Sequence, residues 1–173
     1  MRKASKSMNI FYLDEDPEVA AIVQYNKHVV KMILESAQML CTAHHVYGNE
    51  EQKENVPYKQ AHLNHPSTIW CRQSIPNYMW LYKHMLALGH EYTHRYGKVH
   101  KSITKCKDFL SIAPQEIDKY ASFTQPPQAM PDEYKAECSV EAYWNYYIGE
   151  KHVVATKDEM IYEKPIETKN KRI

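Results

Sequence analysis

The sequence predicts an all-α fold, a single compact domain of roughly three to five helices joined by long irregular loops. Apolar side chains recur at spacings of three and four over long stretches, which is the period of a helix that buries one face. No segment shows the apolar–polar alternation of a half-buried strand. The chain also has only 4 glycines among 173 residues, which disfavours turn-rich β folds.

The first helical segment begins at residues 16–18, where a capping aspartate precedes a proline at the first helical position. We expect this helix to break near 25–26 and to resume strongly over 27–45. Gly48 and the polar run 49–55 are then expected to form a loop.

Further helices are expected in the second half of the chain. One starts at 64–67 and is restarted by Pro76, after which apolar and tyrosine side chains continue at helical spacing to a natural stop at Gly97. The proline-bearing stretch 101–130 is predicted to be irregular. Pro-Asp-Glu opens a last helix that we expect over 131–149.

These elements give one helical domain over 9–156, between a basic flexible leader at 1–8 and a polar C-terminal tail at 157–173. The four cysteines are scattered without a CxxC pair, which argues against a disulfide framework and suits a reducing cytoplasm. The sequence has no signal-peptide core and no apolar stretch of membrane-spanning length. We therefore expect a cytoplasmic protein without a membrane partner.

The helix expected over 27–45 has two distinct faces. Its apolar arc is Val29, Val30, Ile33, Leu34, Ala37, Leu40 and Cys41, and its polar stripe is His28, Lys31, Glu35, Gln38 and Thr42. One interpretation of the stripe is a solvated face with a Lys31–Glu35 ion pair. The other is a set of catalytic groups, since an acid, two bases and an amide are held together on one rigid element.

Three blocks of sequence bear on this choice. Residues 27–35 read KHVVKMILE, 64–70 read NHPSTIW, and 143–151 read YWNYYIGEK. In this order they resemble the phage pyrimidine-dimer DNA glycosylase (endonuclease V) family: its catalytic helix, the NHPxxxW block of its bacterial branch, and its aromatic C-terminal segment near DNA. In the catalytic helix of that family a His precedes the catalytic Glu by seven residues, and in this sequence His28 precedes Glu35 by the same distance.

The resemblance implies an enzyme that acts on double-stranded DNA without a cofactor. It would cleave, or exchange at, the N-glycosidic bond of a damaged or modified base, with Glu35 as the catalytic carboxylate assisted by His28 and Lys31. In the family an N-terminal amine attacks the sugar C1′. Here a leader precedes Met8, so an amine from Lys27 or Lys31, or a water activated by Glu35, stays open as the nucleophile.

Further residues are candidates for binding nucleic acid. Basic side chains are expected to meet phosphates, and C-terminal tyrosines are expected to stack on bases or, alternatively, to be core anchors. The candidates are Lys27, His65, Arg72, Arg95, Lys98, Lys101, Tyr146, Tyr147 and Lys151.

Two alternative functions remain open from the sequence. Residues 90–100 match HExxHxxGxxH, the zinc signature of metzincin proteases, with His90, His94 and His100 as ligands and Glu91 as general base. Against zinc, the preceding residues show no strand pattern for the sheet that such a site needs. The second alternative is a non-catalytic nucleic-acid-binding phage protein built on the same helices.

Overall fold

The computed structural model describes residues 8–154, and within this range helices are the only regular secondary structure. The predicted all-α class is therefore confirmed. The described residues form α1 (Pro17–Ile22), α2 (Asn26–Tyr47), α3 (Glu50–Asn55), α4 (Pro66–Cys71), α5 (Ile75–Tyr96), α6 (Lys101–Leu110) and α7 (Ser139–Gly149), with 3₁₀ turns at Asp132–Tyr134 and Lys151–Val154. None of these helices is long and apolar enough to cross a membrane.

Two long helices, α2 and α5, form the centre of the fold. Each has 22 residues, and they pack against each other through fully buried side chains such as Ile33 and Leu81. Helix α1 covers α5, while α4 and α6 cover α2. The extended segment 8–14 is also part of the core, and the Trp144 indole N–H donates to the Leu13 carbonyl at 2.6 Å. This bond fixes α7 to the beginning of the described chain.

The strongest start and stop signals in the sequence are confirmed. The Asp16 side chain caps α1 by accepting from the Glu18 amide, and Ser74 caps α5 by accepting from the Asn77 amide. Gly97 ends α5 in the left-handed conformation, with a φ of 70°. The break expected near 25–26 is the short turn between α1 and α2.

Several boundary predictions were wrong, and the domain has more helices than expected. The polar run 49–55 is helical because Asn49 and Gln52 form a reciprocal capping box. Residues 101–110 form α6, whose N-cap is His100, instead of irregular chain. The last helix begins at Ser139 rather than at Pro131. Helix α3 buries none of its side chains, so its capping contacts decide whether it forms, whereas α6 buries Ser102, Cys106 and Leu110 at a helical spacing.

The leader predicted over 1–8 extends one residue too far, since Met8 is 2% exposed and lies in the core. Residues 1–7 and the predicted tail 157–173 lie outside the described residues.

The burial of the two faces of α2 also differs from the prediction. Val30 and Leu34, expected in the core, are 37% and 41% exposed, while His28 and Glu35 of the polar stripe are 7% and 6% exposed. The reason is that the segment 8–14 and α7 pack over this stripe, as their contacts with it show. Polar groups on α2 are thereby enclosed by the protein.

Candidate functional site

Glu35 is the buried carboxyl group at the centre of the candidate site. The Asn9 backbone N–H and the charge of Lys31, one helical turn earlier, both favour its ionised form, but burial outweighs them and raises the pKa to about 7. Its Oε2 atom has no hydrogen-bond partner among the described residues. A carboxyl group with this pKa exchanges protons readily at neutral pH, as a general acid or base must.

His28 lies two turns before Glu35 and is held by aromatic side chains. Its ring stacks on Phe11, with centroids 4.3 Å apart and planes at 14°, and its Nδ1 lies 2.9 Å from the Tyr147 hydroxyl. That hydroxyl also accepts from the Tyr25 backbone N–H at 2.7 Å. Burial, with the positive charges of Lys151 and Lys31, lowers the pKa of His28 to about 3. The ring is therefore neutral at physiological pH.

The segment that closes over the site has a strained backbone. Phe11 has a φ of 54°, a left-handed conformation that a bulky residue adopts only at a cost of about 1–2 kcal/mol. The Asn9 side chain stabilises this turn, because its Oδ1 accepts from the amides of Ile10 at 2.7 Å and Phe11 at 2.9 Å. Its Nδ2 donates to the Ala129 carbonyl at 3.1 Å. The turn thus fixes both the Asn9 amide beside Glu35 and the Phe11 ring against His28.

The structure brings together the three predicted catalytic residues and three predicted binding residues of the C-terminal block. Tyr147 and the charge of Lys151 lie near His28, and the Lys151 ammonium lies 4.8 Å from the centre of the Tyr146 ring. The tyrosines are 7% and 2% exposed, which favours the alternative of core anchors that support the site, and their stacking on bases stays a prediction. Sequence reasoning missed Asn9 and Phe11, since their role depends on contacts with distant segments that leave no local pattern.

An exposed basic surface borders the site. The Val30 backbone acts on the pKa of His100, which places the turn between α5 and α6 close to the first half of α2. Four exposed lysines lie on these two elements, and the side chains of Val30 and Leu34 on α2 are exposed as well. We call Lys27, Lys31, Lys98 and Lys101 the basic face.

Arg95 has a structural role in the fold, and its contact with a phosphate stays a prediction. Its guanidinium donates to the carbonyls of Ile22 at 2.9 Å and Gln24 at 2.8 Å and to the Asn26 side chain at 2.9 Å. It also forms an ion pair with Glu91 at 2.9 Å. These bonds join the end of α1 and the start of α2 to α5 and leave the guanidinium engaged within the protein.

The remaining two binding candidates have local contacts. The His65 Nδ1 accepts from the Ser67 amide and caps α4, and the Arg72 Nη1 donates to the Leu63 carbonyl at 2.9 Å. Both side chains are half-buried. Their binding to nucleic acid stays a prediction.

The HExxHxxGxxH residues do not converge on a point. The His100 Nδ1 accepts from the Ser102 amide at 3.1 Å, and Glu91 is paired with Arg95, while His90 and His94 are exposed on α5. Within residues 8–154 no three His, Cys, Asp or Glu side chains are grouped so that they could hold a metal ion. This geometry does not support the metzincin alternative, because three ligands must meet around one zinc ion.

The raised pKa of Glu35 makes the stability of the fold depend on pH. An unfolded carboxyl ionises near its ordinary pKa of 4.5, whereas folded Glu35 holds its proton up to about pH 7, so native stability falls as the pH rises between these values. Glu35→Gln cannot ionise. Between about pH 4 and about pH 8 we expect the free energy of unfolding of the variant to rise by about 2–3 kcal/mol relative to that of the native protein. Urea unfolding at both pH values measures this gain, with exposed Glu54→Gln as the control; a constant difference between native protein and variant would contradict the burial argument.

The chain matches no protein-family model, no curated protein and no solved structure. The chemical groups of the candidate site are the enclosed Glu35 carboxyl, the neutral His28 ring and the basic face.

Proposed function

We propose that the protein is a DNA glycosylase-like enzyme that cleaves, or exchanges at, the N-glycosidic bond of a damaged or modified base in duplex DNA. The observation that carries the proposal is the buried Glu35 carboxyl, which has a pKa of about 7 and borders the basic face. The resemblance of the three sequence blocks to the endonuclease V family supports the same assignment. A DNA substrate is consistent with a cytoplasmic enzyme, in the host cell if the protein is phage-encoded.

The proposed chemistry suits the environment of Glu35. As the C1′–N bond breaks, the base leaves with the electron pair and positive charge develops at C1′, which an ionised carboxylate stabilises. When water is the nucleophile, its oxygen forms the new bond to C1′ and Glu35 accepts its proton. The departing base takes up a proton from solvent or from protonated Glu35, and at a pKa of about 7 the carboxyl readily gives up the proton that it accepted from water.

The nucleophile is the part of the proposal that differs from the family. The Asn9 nitrogen interacts with Glu35, but within this chain it belongs to the Met8–Asn9 peptide bond and is an amide rather than a nucleophilic amine. Lys31 is the amine whose charge acts on Glu35, and Lys27 and water are the other candidates. Borohydride treatment with abasic DNA distinguishes them: an adduct lost in Lys31→Ala or in Lys27→Ala assigns the amine that was removed, and no adduct with the native protein assigns water.

Binding to DNA through the basic face has its own test. We expect the double substitution Lys98→Gln, Lys101→Gln to weaken binding and to reduce the slope of log K against log salt by about 2, since each lysine neutralises one phosphate. Fluorescence anisotropy over a salt series measures the slope. Lys53→Gln is the matched control, because this exposed lysine lies on α3, beyond the other end of α2. An unchanged slope in the double variant would remove these lysines from the interface.

A second candidate function, a non-catalytic nucleic-acid-binding protein, is favoured by the low exposure of Glu35, which is 6%. In a glycosylase the flipped base must reach this carboxyl, which requires the segment 8–11 to move. A binding module has no such requirement. Tight binding of duplexes without release of any base would favour the module.

A further inference from the structure

A cavity lies apart from the Glu35 site. It has a volume of about 520 Å³ and is lined by Tyr12, Glu15, Trp80, Phe123 and Gln125, which together we call the aromatic pocket. The lining comes from the segment before α1, from α5 and from the chain between α6 and α7. None of these residues belongs to the Glu35 site, so the pocket calls for a separate explanation.

Hydrogen bonds and ring contacts hold the walls of the aromatic pocket in place. The Trp80 indole N–H donates to the Glu15 carbonyl at 2.8 Å, and the Trp80 ring stacks on His84 with centroids 4.9 Å apart. The Tyr12 ring lies 5.0 Å from the Trp80 ring. Phe123 is 38% exposed and lies towards solvent. The pocket is therefore preformed, which reduces the entropy cost of binding a ligand.

The charge of the aromatic pocket is negative. Glu15 is exposed and contributes a carboxylate, and none of the five described lining residues is basic. Burial raises the pKa of Tyr12 to about 12, and the negative charges of Glu15 and Asp14 add to this shift. A phosphate or a carboxylate ligand would be repelled here, which separates this pocket from the basic face that we assign to DNA.

We propose that the aromatic pocket binds an alkylammonium cation, with its charge between the Glu15 carboxylate and the exposed Phe123 ring, while Tyr12 and Trp80, which are 2% and 8% exposed, form the floor of the pocket. Aromatic faces attract ammonium groups through their quadrupole. The carboxylate supplies the opposite charge, while the rings cover the alkyl part of the ligand. This assignment does not depend on the glycosylase proposal.

Isothermal titration of the full chain with n-butylammonium and tetramethylammonium tests the proposal, with n-butanol and butyrate as the neutral and anionic probes. We expect both cations to bind and the neutral and anionic probes to bind at least roughly tenfold more weakly. Glu15→Gln should weaken cation binding roughly tenfold and Phe123→Leu several-fold. Glu18→Gln is the matched control, an exposed carboxylate on α1 outside the pocket.

Glu15→Gln preserves the bond from Trp80, since Trp80 donates to the backbone carbonyl of Glu15 and not to its side chain. Phe123→Leu removes the edge contact between the Phe123 and Trp70 rings, whose centroids are 6.1 Å apart. Thermal melting of each variant checks that the fold is kept. An acetylated and amidated lysine serves as a further probe: tighter binding than n-butylammonium identifies a protein side chain as the source of the cation, and weaker binding identifies a free amine. The proposal is overturned by absent cation binding, by equal binding of n-butanol, or by an unchanged affinity in Glu15→Gln.

Discussion

Glu35→Gln is expected to reduce the rate of base release by about 10³-fold while leaving DNA affinity within about a factor of three. The amide has the shape of the carboxyl group but neither stabilises positive charge at C1′ nor exchanges a proton. The basic face is unchanged in the variant, so binding is retained. Single-turnover kinetics with enzyme in excess measure the chemical step. Glu54→Gln, an exposed carboxyl on α3, is the control and should retain full activity.

The rate of base release by the native protein should also depend on pH. The ionised form of Glu35 is the one that stabilises C1′, so the rate should rise with pH and level off above about 7, the pKa of this carboxyl. His28 has a pKa of about 3 and stays neutral throughout, so it adds no second step near neutral pH. A rate that does not change across neutral pH would show that Glu35 is not the titrating group.

Arg95→Met is expected to lower the free energy of unfolding by about 3 kcal/mol. The substitution removes the bonds to the Ile22 and Gln24 carbonyls and to Asn26, and it leaves Glu91 without its partner. The Arg95 and Glu91 side chains are 16% and 13% exposed, so water compensates for this loss only in part. Because the guanidinium joins α1, α2 and α5, the effect should reach the whole fold.

Urea unfolding of the native protein and the variant measures the loss. Lys98→Gln is the control, since this exposed residue lies in the next turn and its substitution should change stability by less than about 0.5 kcal/mol. A loss below about 1 kcal/mol in Arg95→Met would mean that the bonds to α1 and α2 contribute little.

The long helices were predictable because their signals are local. The cap at Asp16, the restart at Pro76 and the stop at Gly97 each act within a few residues, and the structure has a helix boundary near every one of them. Helix α3 was missed because it is short and polar, and α6 because the prolines that follow it made the whole stretch 101–130 look irregular; capping contacts at Asn49 and His100 define their starts. Such contacts depend on where the rest of the chain lies.

The candidate site was only partly predictable for the same reason. The spacing of His28, Lys31 and Glu35 places them on one stripe of a helix, and this much follows from the sequence. The burial of this stripe depends on Phe11 and Tyr147. The contact between His28 and Tyr147 joins residues 119 positions apart, which no local pattern indicates. Amphipathicity alone therefore placed Val30 and Leu34 inside, although the structure exposes them.

The most direct test of the central claim is the release of a free base from duplex DNA. Duplexes carrying different lesions and modified bases are incubated with the native protein and with Glu35→Gln, and the released bases are identified by mass spectrometry. We predict that the native protein releases one class of base and that the variant, although it still binds, releases it about 10³-fold more slowly. Release of no base from any duplex by the native protein, or equal release by Glu35→Gln, would contradict the assignment of Glu35 as the catalytic carboxylate.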